Sequence, residues 1–507
     1  MRPLQLLVLG LDAMDRDVAR ELMADGQLPT LAGLAERGLM AEMANPIGMY
    51  TGPVWPTLLT ADRPDRHLRT NWRVLVPGTY RLRYLTGYNP LPEPTFLRRL
   101  ADAGRRVLSI DVPNAALDEH PDLLQVIEWT THDRRGELGA SPLSLADDVN
   151  ELFPLPLIDF CDEQGAAGEL PELRDRLLHE VEGFADCVVE LAHRHEPDVL
   201  MLVLGSTHCA GHQFWHLHDP ASHHHDPVAA AALGDPLTEV YRRVDTSVAK
   251  LLELTDDQTV VAVVLSHGMH DNVVLPHLSE PIVRAIDRAF GPPPAWHRWR
   301  EIARRTPNRV ARRARRTLGR PYAGMDHIAD GSRRWFQLET FPTHAGLRLN
   351  VVGREPNGRI RPDEVDDVVA RLEQELHRIR RTDTGGPVVE RVIRTKDHYD
   401  RIDQSGMPDL LIEWVRDTPI TSVTSPTIGT IARPWRETRT GAHLQDGLLV
   451  LAGPGVPAGE RASLRSIDVW PTLARLLGVA PGDVDGQALP VGSADQRTST
   501  AGAASDA

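Results

Sequence analysis

Four short runs of this chain are apolar at nearly every position: Leu4–Leu9, Val199–Leu204, Val260–Leu265 and Gly447–Ala452. None alternates polar with apolar residues, so none leaves a face for water. Such runs read as strands buried on both faces. Val107–Val112 is a fifth candidate. Helical spacing lies between them, as in Leu177, Val181, Phe184, Val188 and Leu191, and again over residues 237–254. Strands alternating with helices predict an α/β fold with a mostly parallel central sheet and helices on both faces. Ligands of such sheets bind at the carboxyl ends of the strands.

Those ends carry polar residues of a particular kind. Asp12 follows the first run. Val199–Leu204 leads into Gly205-Ser-Thr-His208-Cys-Ala-Gly-His212, and Val260–Leu265 into Ser266-His267-Gly268-Met269. His443 stands just before Gly447. A lone histidine at a strand end is most often a hydrogen-bonded structural residue. His208 and His212 are more telling, because a four-residue spacing sets two imidazoles on one helix face, where they can share a cation. Thr51 lies in Asn45-Pro-Ile-Gly-Met-Tyr-Thr51-Gly-Pro-Val-Trp55, ahead of a predicted helix. A Thr there is usually a cap. It becomes a nucleophile only if a neighbour lowers its pKa.

The remaining features bound the problem. With 507 residues the chain spans two or three average domains or one large α/β domain with insertions. The strand rhythm changes after about Pro276. Residues 1–280 and 400–490 read as the core, 281–399 as an inserted accessory subdomain, and 491–507, rich in Ser, Ala, Gly and Thr, as a disordered tail. Asp409–Trp414 is expected to return to the main sheet. Pro362 opens an amphipathic helix with Val365, Val368, Val369, Leu372, Leu376 and Ile379 on one face. A net charge of −15 argues against nucleic acid or an anionic membrane as partner, while leaving room for a small phosphorylated substrate. Cys161, Cys187 and Cys209 are too scattered to suggest a disulfide framework. The apolar run at the N-terminus is too short for a signal peptide, and no run approaches the roughly 20 residues of a membrane span. The expected location is the cytoplasm. His216, His218, His223, His224 and His225 read as a solvated loop or a metal-binding rim. Arg298–Arg320 reads as a solvated helix face or an anion clamp. His132-Asp133 is not expected to do chemistry.

Taken in order, the motifs resemble the alkaline phosphatase superfamily, in its type I phosphodiesterase/nucleotide pyrophosphatase-like branch. Leu9-Gly-Leu-Asp12 resembles the opening strand-plus-Asp motif. Gln27-Leu-Pro-Thr-Leu-Ala-Gly-Leu-Ala35 with Gly38 resembles the following helix. Thr51-Gly-Pro-Val-Trp55-Pro-Thr57 resembles the nucleophile segment, and Arg63-Pro-Asp-Arg-His67 its downstream end. Ser266-His267-Gly268-Met269, Gly441-Ala-His443 with Asp446-Gly447, and Asp468-Val-Trp-Pro-Thr-Leu473 resemble the later motifs.

The resemblance implies a two-metal site, usually zinc, with manganese also possible. One metal would be held by His208, His212 and His443. The other would be held by Asp12, His267 and the Thr51 oxygen, with Ser266 as a weak ligand. It implies a metal-dependent phosphodiesterase or phosphatase that passes through a covalent phospho-Thr51. The family usually has Asp where His208 and Ser266 stand, so both departures remove a carboxylate, and Asp271 is a candidate replacement. The alternatives are a phosphomutase and a degenerate member that binds a phosphorylated ligand or partner without turnover. A sulfatase fits less well, because Thr51-Gly-Pro-Val-Trp55 lacks both the Cys or Ser and the Arg of that branch's motif.

Overall fold

The structure, a computed structural model, describes residues 3–49, 51–130, 137–153, 169–291, 333–338, 340, 343–435 and 439–492. The Arg298–Arg320 stretch, His132-Asp133, Cys161 and the tail beyond Gly492 lie outside the described residues. The chain divides into two compact units. The first is Met1–Arg69, Thr86–Asn272 and Glu437–Ala507; the second is Thr70–Leu85 and Val273–Arg436.

The first unit is built on a nine-stranded sheet. Its strands, numbered in chain order, are β1 (Leu6–Leu11), β2 (Leu39–Ala44), β3 (Val107–Ile110), β4 (Leu123–Ile127), β5 (Gly139–Ser141), β6 (Val199–Leu204) and β7 (Val260–Leu265). Two more are β14 (Gly447–Ala452) and β15 (Glu460–Arg465). The spatial order is β15-β2-β14-β7-β1-β6-β3-β4-β5. Pairing is parallel throughout β7-β1-β6-β3-β4 and between β15 and β2, and antiparallel at β14 and β5. The expected mostly parallel sheet is present.

The continuous apolar runs have the predicted cause. Leu7, Leu9 and Leu11 of β1 enter one core with Phe184, Phe214 and Tyr241. Leu6 and Val8 enter a second core with Trp55 and Trp470. Alternate side chains of one strand thus feed separate cores on opposite faces of the sheet. The helices that concern the site are α1 (Val54–Thr60), α2 (Leu170–His195), α3 (Ser206–His218) and α4 (Pro236–Leu252). A short antiparallel ribbon pairs β8 (Met269–Asp271) with β13 (Gly441–His443).

The second unit has a four-stranded sheet of β9 (Trp335–Leu338), β10 (His344–Leu349), β12 (Leu410–Trp414) and β11 (Val389–Arg394), in that order. The expected amphipathic helix is α5 (Val365–His377), with Val369, Leu372 and Leu376 buried. Here β12 corrects the sequence reading. It is buried at every position, as expected, but pairs with β10 and β11 rather than in the main sheet. Continuous apolarity reports burial on two faces; it does not report which sheet does the burying.

Two smaller corrections apply to the first unit. Val491 is buried in the core that holds Trp470, and its carbonyl accepts from Arg475 Nε, so order continues past the expected start of the tail. Cys209 is disulfide-bonded, whereas Cys187 is a free, buried thiol.

Candidate metal centre

The strand register brings the polar ends together. Leu11 of β1 aligns with Leu204 of β6 and Leu265 of β7. β14 runs the other way, so its start is level with those ends, with Leu448 opposite Leu265. Asp12, His208, His267 and His443 therefore share one edge of the sheet. All four are buried. The ring centroid of His443 lies 4.6 Å from those of His208, His212 and His267.

Local packing sets each side chain. α3 starts one residue after β6 and is buried from Ser206 to Trp215, so both its first histidines face protein. Gly441 lets β13 come against this helix: a Cβ there would lie 2.1 Å from the Gly211 carbonyl oxygen. That approach allows His212 Nδ1 to reach the Gly441 carbonyl at 2.7 Å. Gly10 has a matching role on β1, where a Cβ would lie 2.4 Å from Trp55 Cη2. Trp55 can therefore pack close against the strand, and its Nε1–H donates to Asp12 Oδ1 at 2.8 Å.

Hydrogen-bond partners fix the protons. Asp12 receives three donors: Trp55 Nε1, Ser266 Oγ at 2.8 Å on the same oxygen, and His208 Nδ1 at 2.8 Å on Oδ2. His208 thus carries its hydrogen on Nδ1. His212 carries its own on Nδ1, toward the Gly441 carbonyl. Both Nε2 atoms are then lone pairs, and they face each other at 2.9 Å. Two lone pairs so close repel unless a cation or a proton lies between them. Arg439 Nη1 stands 3.0 Å from His212 Nε2, a cationic donor directed at the same lone pair. Burial, followed by the charges of His212, His267, His208 and Arg439, holds the His443 imidazole well below its ordinary pKa. A neutral imidazole is the form that binds a metal. Among the described residues, His208, His212 and His443 form one group close enough to surround an ion. Asp12, His208 and His267 form a second that reuses His208.

Thr51 is 7% exposed, and its Oγ1 has no hydrogen-bond partner. An orphaned buried hydroxyl costs about 1–3 kcal/mol, so this position calls for a polar partner from outside the chain. The Thr51 segment is anchored on both sides. Asn45 Nδ2 donates to the carbonyls of Ser266 (2.7 Å) and Gln445 (2.6 Å), and Asn114 Nδ2 to the Gly52 carbonyl at 3.4 Å. Asn114 itself sits at φ 57°, a left-handed conformation uncommon outside glycine.

Two sequence expectations change. Ser266 is a hydrogen-bond hub: its hydroxyl donates to Asp12 Oδ1, so it accepts from Ala13 N–H (3.0 Å) and from His267 Nδ1 (2.9 Å). Asp271 does not replace a lost carboxylate at the centre, because it accepts from Ser222 Oγ and from His223 N and Nδ1. The histidine run is folded back by polar contacts of this kind, with His224 Nε2 on the Asn272 carbonyl and His225 Nδ1 on the His216 carbonyl. Sequence reasoning missed Trp55, Asn45, Asn114 and Arg439. Only Trp55 left a signal, an indole four residues after Thr51 whose N–H needs an acceptor when buried.

A nine-stranded α/β sheet of alkaline-phosphatase-like fold thus gathers, at its strand ends, imidazoles and a carboxylate close enough together to hold a metal ion. The profile of the type I phosphodiesterase / nucleotide pyrophosphatase family matches residues 6–442, and the chain belongs to that family, one of phosphoester hydrolases. Among solved structures, phosphonoacetate hydrolase from Sinorhizobium meliloti 1021, in complex with phosphonoformate, superposes with a TM-score of 0.50 at 14% identity, covering 92% of this chain and 94% of its own. Human ectonucleotide pyrophosphatase/phosphodiesterase 5 gives a TM-score of 0.47 at 10% identity, covering 95% of this chain and 97% of its own. No curated protein sequence matches the chain.

Proposed function

We propose that the chain hydrolyses esters of phosphoric acid on small substrates, as a phosphodiesterase or phosphatase, with Thr51 as nucleophile. A divalent cation, zinc or manganese, would be held by His208, His212 and His443. The observation that carries this reading is the pair of Nε2 lone pairs facing each other beside His443. Three neutral imidazoles are a sound zinc set. A bound divalent cation supplies charge stabilisation for phosphoryl oxygens and lowers the pKa of a hydroxyl near it.

The chain's own residues do the rest. Thr51 Oγ1 gives its proton to water and attacks phosphorus, and the bond to the leaving oxygen breaks as phospho-Thr51 forms, the departing oxygen taking a proton from water. Water then cleaves the phosphorus–Oγ1 bond, releasing phosphate or a monoester and restoring Thr51. Asn45 and Asn114 hold the segment that carries Thr51, while Trp55 ties the helix behind it to Asp12. Arg439 offers a guanidinium to the anionic substrate. The second reading, a phosphomutase or a binder without turnover, is favoured by the absence of carboxylates at His208 and Ser266.

The test uses nitrophenyl phosphate mono- and diesters with metal analysis of the same preparation. Thr51→Ala is expected to keep its metal and lose about a thousandfold or more in turnover. Protein that stays metal-free and inert after zinc or manganese is added would overturn the proposal.

A further inference from the structure

Asp12 is the carboxylate at the heart of the centre, and its hydrogen bonds decide how many metals the centre can take. Three donors converge on it, which uses most of the roughly four lone-pair directions a carboxylate offers. One of them is the Nδ1–H of His208, whose opposite nitrogen faces His212. A carboxylate holding one imidazole N–H while the other nitrogen faces a cation site is the arrangement that orients metal-binding histidines and raises their basicity. The Gly441 carbonyl does the same for His212.

We infer that this chain is built for a single metal at its active centre, held by His208, His212 and His443, with Asp12 orienting His208 rather than binding an ion. The inference rests on the metal-dependent reading above and narrows it. Asp12, His208 and His267 also lie close enough to surround an ion. That group, however, needs the Nδ1–H of His208 removed and the Asp12–His208 hydrogen bond opened. It would also set a double positive charge against one carboxylate, because Ser266 contributes a neutral hydroxyl already given to Asp12. His267 is turned by the same hub, with its Nδ1–H on Ser266 Oγ. Ser266 thus helps hold in place the carboxylate that orients His208.

The test counts metal ions. Full-length protein is stripped with a chelator, dialysed against buffered free zinc and analysed for bound metal, with circular dichroism as a folding control. The wild type is expected to bind one equivalent. Asp12→Asn should still bind one, with affinity lowered about 10- to 100-fold. His267→Ala should bind one at near wild-type affinity, and His443→Ala should lose the ion. Ser266→Asp should admit a second equivalent. Two equivalents in the wild type with similar affinities, or loss of one whole ion from two in Asp12→Asn or His267→Ala, overturns the inference while leaving the hydrolase reading intact. One equivalent in a protein inert toward every phosphoester does the reverse. Protein that binds neither zinc nor manganese and turns over no phosphoester overturns both.

Discussion

Arg439 points its guanidinium at the lone pair a metal at His212 would need. A fixed positive charge there competes with the ion and repels it, yet the same charge suits a phosphoryl oxygen. The two effects give opposite signs in one variant. Arg439→Ala is expected to tighten zinc binding about tenfold, as befits the loss of 1–2 kcal/mol of partly screened repulsion, and to raise KM for a phosphate ester. Chelator competition and steady-state kinetics read the two separately; weaker zinc binding in Arg439→Ala would show that the guanidinium supports the ligand set instead. At this scale the sequence was legible where a residue's chemistry is unusual for its place. Asp12, His208, His212, His267 and His443 stand out because a strand end rarely collects so many ligand types. The role of Ser266 was not legible, since a hydroxyl looks like a weak ligand until its one hydrogen is seen to go to Asp12. Arg439 was invisible for another reason: its partner lies 227 positions away, and no local pattern encodes that contact.

The centre also depends on elements touching at points where no side chain fits. β13 and α3 meet at Gly441 and Gly211, and a methyl group on Gly441 would lie 2.1 Å from a backbone oxygen, which cannot rotate away. Gly441→Ala is expected to push the ribbon off the helix, at about 1–3 kcal/mol in stability. It should also break the bond from His212 Nδ1 to the Gly441 carbonyl. Zinc affinity should then fall by about tenfold or more, measured beside the denaturation midpoint. A variant that loses stability but keeps zinc affinity would mean the carbonyl does not orient His212. Elements were easier to read than their partners. The strands β1, β6, β7 and β14 announced themselves by unbroken apolarity, and α5 by its stripe. Yet β12 carries the same signature and belongs to another sheet. Strand pairing is decided by contacts between distant segments, and a short apolar run is equally content in any buried sheet. The joining of Thr70–Leu85 to the second unit left no compositional mark at all.

At the scale of the whole molecule, the stability of the fold should carry the signature of Glu180. This carboxyl is buried in α2, where it accepts from Ser206 Oγ at 2.8 Å, two residues before His208 in sequence. Burial pushes its pKa up from 4.5 to about 7, against the smaller opposing pull of the Ser206 hydrogen bond. The folded chain therefore holds this proton over a range in which the unfolded chain has released it. Stability drawn from the neutral acid is complete below pH 4.5 and is lost as pH rises toward about 7. The shift corresponds to about 3 kcal/mol across the window. Glu180→Gln keeps an acceptor for Ser206 Oγ and removes the titration. Relative to the wild type, the variant is expected to gain stability steadily from pH 4.5 to 7 and to hold a constant margin above that, as measured by chemical denaturation at a series of pH values. A margin that does not change with pH would mean that Glu180 stays ionised in the fold. Because the comparison is a difference between two chains sharing every other acid and histidine, titrations not coupled to Glu180 cancel, and only those of charged neighbours such as Asp111 accompany its own.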